Sequence, residues 1–493
     1  MNEKLDKFLF LFLNNHTYKI NAENSEMTNL EGIARQLLRQ KKTREEIIQK
    51  LIDEYQIFKN APRNILQQYA EAILKEVEVS EKILRGSSSK IEKKKHDLVN
   101  TVITPIKANL KMGEGGVGCR GIGDNIVHEM ISKISQTSTK ALLSPLTLDD
   151  AGAVEITLNS EEKNSNSLVI VSKMEGMHSR LSEFPFLAGF HVTRAMLRDI
   201  LIKGARPISI MVDIHLADDG DIGKLFDFEA GIATVAELAQ VPITAGSTLR
   251  IGGDMVIGDR LTGGIAGVGI LRYSFFRENI QPGDSMIMTY GSGGGTISTT
   301  ALYHGRSDVV AETLNINFFK AVNTILSQPK ICSQIHTMID VTNGGLRNDL
   351  LEIQSVISHG FMVNIEKVRQ MVNPRVLALL KETSVDYLGV SLDSLVIFCQ
   401  PEVKEKILDL LHQNGIKALE IGQVIPKNSV HFIDGDNEEI ISPHFREAAY
   451  TGIKKVIDQI EQVPTKHIQQ LEKAFSDAQQ KKNHILEVLK RSA

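Results

Sequence analysis

Residues 337–350 read Thr-Met-Ile-Asp-Val-Thr-Asn-Gly-Gly-Leu-Arg-Asn-Asp-Leu, and no other stretch constrains the fold of this chain as strongly. An apolar strand ends in a carboxylate, Asp340. Gly344-Gly345 makes a turn, and a helix follows with Leu346, Leu350, Ile353 and Ile357 on one stripe. Such a turn aims free backbone N–H groups and the positive end of a helix dipole at one point. Phosphate suits that point, and Asp340 beside it suits the Mg²⁺ that travels with phosphate. Alone, the pattern describes an ordinary strand–turn–helix with a surface Asp equally well.

At 493 residues the chain has room for several domains of about 150 residues each. Its 42% hydrophobic and 24% charged content is that of a globular protein. A net charge of −4 implies no broad basic surface for nucleic acid. Cys119, Cys332 and Cys399 form no CxxC pair, so neither a disulfide framework nor a zinc knuckle is suggested. The apolar run Phe8–Leu13 is too short for a signal segment or a membrane span, which reads as a cytosolic protein. Trp is absent and the 37 glycines fit an α/β protein with many tight turns.

Residues 1–85 read as helical, with capping-box spacing at Thr28…Glu31 and Thr43…Glu46. Gly86-Ser87-Ser88-Ser89 and the charged run Lys90–Lys95 read as a linker or an exposed helix start. From about residue 100, Gly-rich turns alternate with strands and amphipathic helices. The pattern predicts strands at Ala153–Leu158, Leu168–Val171, Ile208–Ile214, Ile265–Leu271, Ser285–Tyr290, Leu395–Cys399 and Val430–Ile433. It predicts helices at Gly189–Lys203, Glu229–Gln240, Asn317–Ser327 and Leu346–Ser358. Pro282-Gly283-Asp284 reads as a boundary between two halves. The tail, 445–493, is helical again with a break at Pro464.

Five further elements precede the Asp340 turn. Gly113–Gly123 packs six glycines into eleven residues, a mobile loop able to approach phosphate, though no Walker A sequence follows. Asp149-Asp150 runs into a strand, and adjacent carboxylates repel unless a cation stands between them. Asp199 falls on the apolar stripe of Val192, Ala195 and Met196, where a carboxylate is costly unless paired or metal-bound. Gly246-Ser247-Thr248 offers hydroxyls and N–H groups to phosphate. Gly291-Ser292-Gly293-Gly294-Gly295-Thr296 follows a strand.

In this order and spacing the elements resemble the ATP-dependent family typified by aminoimidazole ribonucleotide synthetase, with selenophosphate synthetase, thiamine-monophosphate kinase and a hydrogenase maturation protein as other members. The resemblance covers roughly residues 110–430. It rests on the Gly-rich loop, Asp149-Asp150-Ala-x-Ala-Val, Pro-Phe-Leu-Ala-Gly (185–189), Asp199-Ile-x-x-x-Gly-Ala-x-Pro, Pro-Gly-Asp (282–284) and Asp340-Val-Thr-x-Gly-Gly-Leu. It implies a mixed α/β fold of two halves. The helical extension 1–95 precedes an N-terminal domain, 96–278, which joins a second subunit's in a shared β-barrel. A C-terminal α/β domain, 279–440, and a helical tail, 441–493, complete the chain. The implied cofactors are ATP and Mg²⁺, the implied partners a small-molecule acceptor and a second copy of the chain, and docking partners suit the helical ends. Asp149 or Asp150, Asp199 and Asp340 would hold Mg²⁺. The glycines Gly116, Gly118, Gly121 and Gly123 would close over phosphates. Gly246, Ser247, Thr248, Gly344 and Gly345 would line the triphosphate.

Two departures stand out. The family's Thr-Asp pair is replaced by Lys173-Met174-Glu175, so one metal ligand is missing or moved to Glu175. Selenophosphate synthetase carries a reactive Cys or selenocysteine followed by Gly-Cys-Lys; here the run is Val117-Gly118-Cys119-Arg120. Arg binds phosphate but cannot titrate as Lys does. Arg120, Cys119 and Asp124 are the candidates for chemistry in this loop. The leading expectation is a phosphoryl-transfer or ATP-driven activating enzyme. The alternatives are a non-catalytic nucleotide-binding assembly protein and a selenophosphate synthetase-related enzyme using Cys119.

Overall fold

A computed structural model describes residues 27–84, 98–99, 101–118, 120–157, 167–342, 344–447, 450–457 and 463–492. The run Phe8–Leu13, the 86–95 linker and Cys119 lie outside them. The chain divides into two compact units.

The smaller unit holds the N-terminal residues through Glu78 with the segments Leu216–Asp221 and Arg250–Arg260. Its helices are α1 (Leu30–Arg39), α2 (Arg44–Phe58) and α3 (Arg63–Leu84). The predicted capping box opens α2: Glu46 N–H donates to Thr43 Oγ1 at 3.2 Å and Thr43 N–H to Glu46 Oε2 at 2.8 Å. The box predicted at Thr28 does not form. Thr28 and Asn29 pair antiparallel with Ile257 and Val256, and Asn29 Oδ1 caps α1 by accepting from Gly32 N–H at 2.9 Å. Leu30, Ile47, Leu51, Leu66 and Leu74 fill a core between the helices. Lys59 Nζ reaches Asp218 at 2.5 Å and Asp219 at 2.8 Å, tying the returning segment to the helices.

The larger unit contains two sheets. The first has five strands, β1 (Gly152–Thr157), β2 (Ser167–Gly176), β3 (Ala205–Leu216), β4 (Ile243–Arg250) and β5 (Leu261–Leu271), in the order β1-β2-β5-β3-β4. It is open within one chain, with β1 and β4 at its edges. The second has seven strands, β6 (Ser285–Thr289), β7 (Ile335–Asp340), β8 (Gly360–Asn364), β9 (Leu395–Cys399), β10 (Ala418–Ile425), β11 (Val430–Asp434) and β12 (Asn437–Ile440), in the order β12-β11-β8-β10-β6-β9-β7. Its ladders are antiparallel except β8 with β11. Strand β6 is buried along its whole length, and Met286, Met288, Val396 and Phe398 of this sheet enter the main core. The fold is therefore the mixed α/β, two-sheet arrangement that the resemblance implies.

Among the helices of this unit are α4 (Ile122–Ile134), α5 (Pro185–Ile202), α6 (Gly223–Ala239), α7 (Gly295–Tyr303) and α8 (Gly345–Val356). Helix α5 is the central one, buried along almost its whole length. It lies on β5 at two glycines, where an added Cβ would strike Met196 Sδ at 2.1 Å from Gly267 and Ile200 Cγ2 at 2.5 Å from Gly269. It crosses α6 backbone to backbone. A Cβ on Gly189 would stand 2.1 Å from Phe228 O, and one on Gly231 would stand 2.2 Å from Phe186 O.

Gly to Ala inside a helix normally stabilises by about 0.5–1 kcal/mol. At this crossing the sign reverses. Gly189→Ala and Gly231→Ala are each expected to lower unfolding free energy by at least about 2 kcal/mol in denaturant titrations. An unchanged or raised stability would contradict the crossing.

Candidate functional site

Helix α5 places four charged side chains in the interior of the larger unit: Arg194, Arg198, Asp199 and, just past its end, Lys203. Arg198 is the hub. It contacts Asp340 at the end of β7, Asp393 Oδ1 at 2.8 Å and Asp199 Oδ1 at 3.4 Å. Arg194 meets Asp393 at 3.0 Å and also donates to the carbonyls of Gly293, Thr313 and Asn315. Lys203 holds both residues of the acidic pair, Asp149 at 2.6 Å and Asp150 at 2.8 Å. Arg277 also takes Asp150, at 2.7 Å, and Glu352, at 2.6 Å. Lys173, from the departure on β2, reaches Asp199 at 2.7 Å and Glu175 at 3.5 Å.

Charge and burial work against each other here. Burial alone would raise the Asp150 carboxyl, but Arg277 and Lys203 hold it below the usual range. Burial would lower Lys203 and Lys173, yet their carboxylate neighbours keep both above the ordinary lysine value. Burial pushes Asp340 well up despite Arg198, with Asp199 and Asp150 adding repulsion. Asp349 of α8 is pushed up to about 7 by burial, although Thr342 donates to it from N–H at 3.0 Å and Oγ1 at 2.7 Å.

These groups surround a cavity of about 840 Å³. Its lining includes Gly118, Arg120, Asp124, Asp149, Asp150 and Asp199 of the expected residues. Thr342 and Asp349, from the Asp340 turn and the helix after it, also line it. The Gly-rich loop and that turn meet: a Cβ on Gly344 would come within 3.0 Å of Arg120 Cβ. Both turn glycines have positive φ, 110° and 69°, and Gly345 could carry no Cβ because Leu388 O would stand 2.1 Å from it.

Several expected roles need correction. The Gly-rich loop is not an open cradle. Its N–H groups at Gly115, Gly116 and Val117 bond to Lys111, Gly113 and Met112 carbonyls, and those at Ile122 and Gly123 to His444 and Phe445. Gly118 and Arg120 N–H both donate to Asp124, whose carboxylate therefore pins the loop at the cavity wall. Gly121 and Gly123 are required for close backbone approach, since a Cβ would lie 2.6 Å from His444 O and 2.3 Å from Gly115 O. Gly246, Ser247 and Thr248 sit exposed on edge strand β4, outside the cavity lining.

Mg²⁺ does not fit this arrangement as it stands. Both Asp340 oxygens lack a hydrogen bond and so have lone pairs to offer a cation, but Arg198 already lies against one of them. Asp149, Asp150 and Asp199 each have a lysine partner. Among the described residues no three His, Cys, Asp or Glu side chains are grouped to hold a metal ion. Most of these cations escape a reading of motifs. Arg194 and Arg198 stand at one-turn spacing, the one available signal, whereas Arg277 lies 127 residues from its partner Asp150.

The residues match known proteins in two blocks. The family description "AIR synthase related protein, N-terminal domain" matches residues 148–271, and "AIR synthase related protein, C-terminal domain" matches residues 281–435. An uncharacterised protein of Methanocaldococcus jannaschii is 40% identical over 469 residues, covering 94% of this chain and 99% of that one. The selenide, water dikinase of Myxococcus xanthus is 27% identical over 37% of this chain and 51% of its own. Phosphoribosylformylglycinamidine synthase subunit PurL of Metallosphaera sedula is 21% identical over 62% of this chain and 42% of its own. The chain thus spans about half or less of those two proteins. A solved HypE-HypF complex aligns with a TM-score of 0.51 at 18% identity, over 64% of this chain and 99% of the matched one, a likeness of fold alone.

Two measurements probe the cluster. Lys203→Met leaves Asp149 and Asp150 buried with Arg277 as their direct partner and Lys173 farther off, so it should cost about 3–5 kcal/mol of unfolding free energy; a loss below about 1 kcal/mol would contradict the pairing. Asp349 binds its proton more tightly folded than unfolded, where the value is 3.8. Its stabilising contribution is full below that value and lost as pH rises through about 7. Relative to wild type, Asp349→Asn should therefore gain about 3 kcal/mol between pH 5 and pH 8 in denaturant titrations. A difference independent of pH would show that Asp349 is ordinarily ionised.

Proposed function

Because the chain belongs to the AIR synthase-related family, we propose that it binds ATP in the cavity of its larger unit. The γ-phosphoryl group passes to a small acceptor, or activates an acyl oxygen of that acceptor for displacement. The observation that carries this reading is Arg120. Its guanidinium lines the cavity and makes no hydrogen bond or ion pair to a described residue, whereas Arg194, Arg198, Lys173 and Arg277 around it are committed to carboxylates. Burial opposes its charge, but Glu352, Glu175 and Asp349 nearby raise its proton affinity above the ordinary value. A charged fork with open donors is a receptor for phosphate oxygens. Its backbone is held at φ 49°, a conformation fixed by its N–H bond to Asp124 and its packing on Gly344.

The chemistry asked of the protein is positioning and charge rather than covalent catalysis. Arg120 would orient the phosphates. Arg198 and its three carboxylates fix α5, and with it the wall against which the acceptor lies. A second reading, a nucleotide-binding assembly protein without turnover, is favoured by the pairing of every expected metal carboxylate with a lysine or arginine. A homodimer through the open five-stranded sheet remains part of the proposal.

Calorimetric titration of ATP into the full chain tests both readings. Wild type should bind, and Arg120→Ala should bind about 10–100-fold more weakly, the loss of a charge-assisted hydrogen bond. No binding by wild type overturns the proposal. Binding without phosphate release in the presence of any acceptor decides for the assembly protein.

A further inference from the structure

One part of the cavity wall is formed by His178, His191 and the loop Gly294-Gly295-Thr296 at the start of α7, beside the Arg194–Asp393 pair. It has no role in the phosphate chemistry above. His191, on α5, is 5% exposed. Its Nε2 lies 2.8 Å from Ser298 Oγ, which lies 2.7 Å from Thr313 Oγ1. Thr313 in turn donates its hydroxyl to Val310 O at 2.7 Å.

A hydroxyl has one proton, and this fixes the direction of the whole chain. The Thr313 proton is on Val310 O, so Thr313 Oγ1 can only accept from Ser298. The Ser298 proton is thereby committed, so Ser298 Oγ can only accept from His191. His191 Nε2 therefore carries the hydrogen. Burial, with Arg194 and His178 nearby, keeps the ring neutral. What remains is Nδ1, a bare lone pair on a buried side chain that lines the cavity, with no hydrogen-bond partner. The neighbouring His178 is not available in the same way: Tyr450 Oη donates to its Nε2 at 2.6 Å, and its Nδ1 hydrogen points to Thr299 Oγ1 at 3.2 Å. Arg194 turns both terminal nitrogens of its guanidinium to three carbonyls and Asp393.

A buried acceptor without a donor is costly, and a ligand that donates to it returns that cost. Beside it, the first turn of the nine-residue helix α7 presents backbone N–H groups that no carbonyl of that helix can satisfy. We propose that His191 Nδ1 and the N-terminus of α7 form the acceptor subsite, and that His191 is its specificity-determining residue. The subsite takes a neutral group that donates an N–H or O–H to Nδ1 and offers an oxygen to the helix. It rejects a carboxylate in the same place, because two lone pairs would face each other. This rests on the reading of the cavity as a two-ligand site, with ATP at the Arg120 end.

Acetamide and acetate have the same shape and differ in the donor. Saturation-transfer NMR on the full chain with saturating ATP should show acetamide binding and no acetate binding. His191→Phe removes both ring nitrogens at nearly constant volume while the Ser298 and Thr313 hydroxyl protons keep their acceptors, so it should stay folded, as its melting transition checks, and bind acetamide about tenfold more weakly, the worth of one hydrogen bond. Imidazole ¹⁵N shifts should show His191 as the neutral Nε2–H tautomer. Equal binding of acetate, undiminished acetamide binding by His191→Phe, no binding of acetamide by wild type, or the Nδ1–H tautomer would each overturn the proposal. The tautomer measurement needs no ATP, so it fails or succeeds independently of the nucleotide reading.

Discussion

One guanidinium organises the larger unit. Arg198 stands among Asp199, Asp340 and Asp393, three carboxylates that come from α5, from the end of β7 and from the segment before β9. Three buried carboxylates around one cation cannot all be ionised without cost, and Asp340 and Asp199 respond with raised proton affinities, driven first by burial. The interaction is thus less an ion pair than a fixed point. It locks the central helix of one sheet to the last strand of the other, and Arg194, Lys203 and Lys173 are placed from that helix or against it. Buried ion pairs of this sort contribute little net stability but penalise every arrangement that would separate them.

That fixed point explains why the cavity has two different ends. Near Asp149, Asp150 and Asp199 the charges are matched internally, and a ligand meets a wall already neutralised by Lys173, Lys203 and Arg277. At the loop–turn junction Arg120 is left over. At the α7 end the Arg194–Asp393 pair stands beside neutral imidazole, hydroxyl and backbone N–H groups. Arg198 and His191 lie on α5 about two turns apart, so a single helix contributes to both parts of the wall.

How much of this was legible in the sequence depends on the distance between partners. The Thr43–Glu46 capping box and the Gly344-Gly345 turn are local, and the structure shows both. Asp199 on an apolar stripe announces a buried partner, which proves to be Lys173 as well as Arg198. Lys173 itself reads as the loss of a ligand, since nothing in its neighbourhood points to a carboxylate on another element. Gly246-Ser247-Thr248 misleads because small and hydroxylated residues suit a phosphate loop and an exposed edge strand alike. The Gly-rich loop misleads for a related reason. Its glycines allow close approach, but what approaches is the chain's own backbone at Gly115 and His444. The His191–Ser298–Thr313 chain spans more than a hundred residues and has no signature at all.

The central claim is that the phosphates of a nucleotide lie where the Gly-rich loop meets the Asp340 turn. A crystal structure of the full chain with a non-hydrolysable ATP analogue tests it most directly. The account predicts phosphate density against the Arg120 guanidinium, beside Thr342 and within the cavity. Density along the exposed Gly246–Thr248 strand, or anywhere that leaves Arg120 without a ligand, would contradict it.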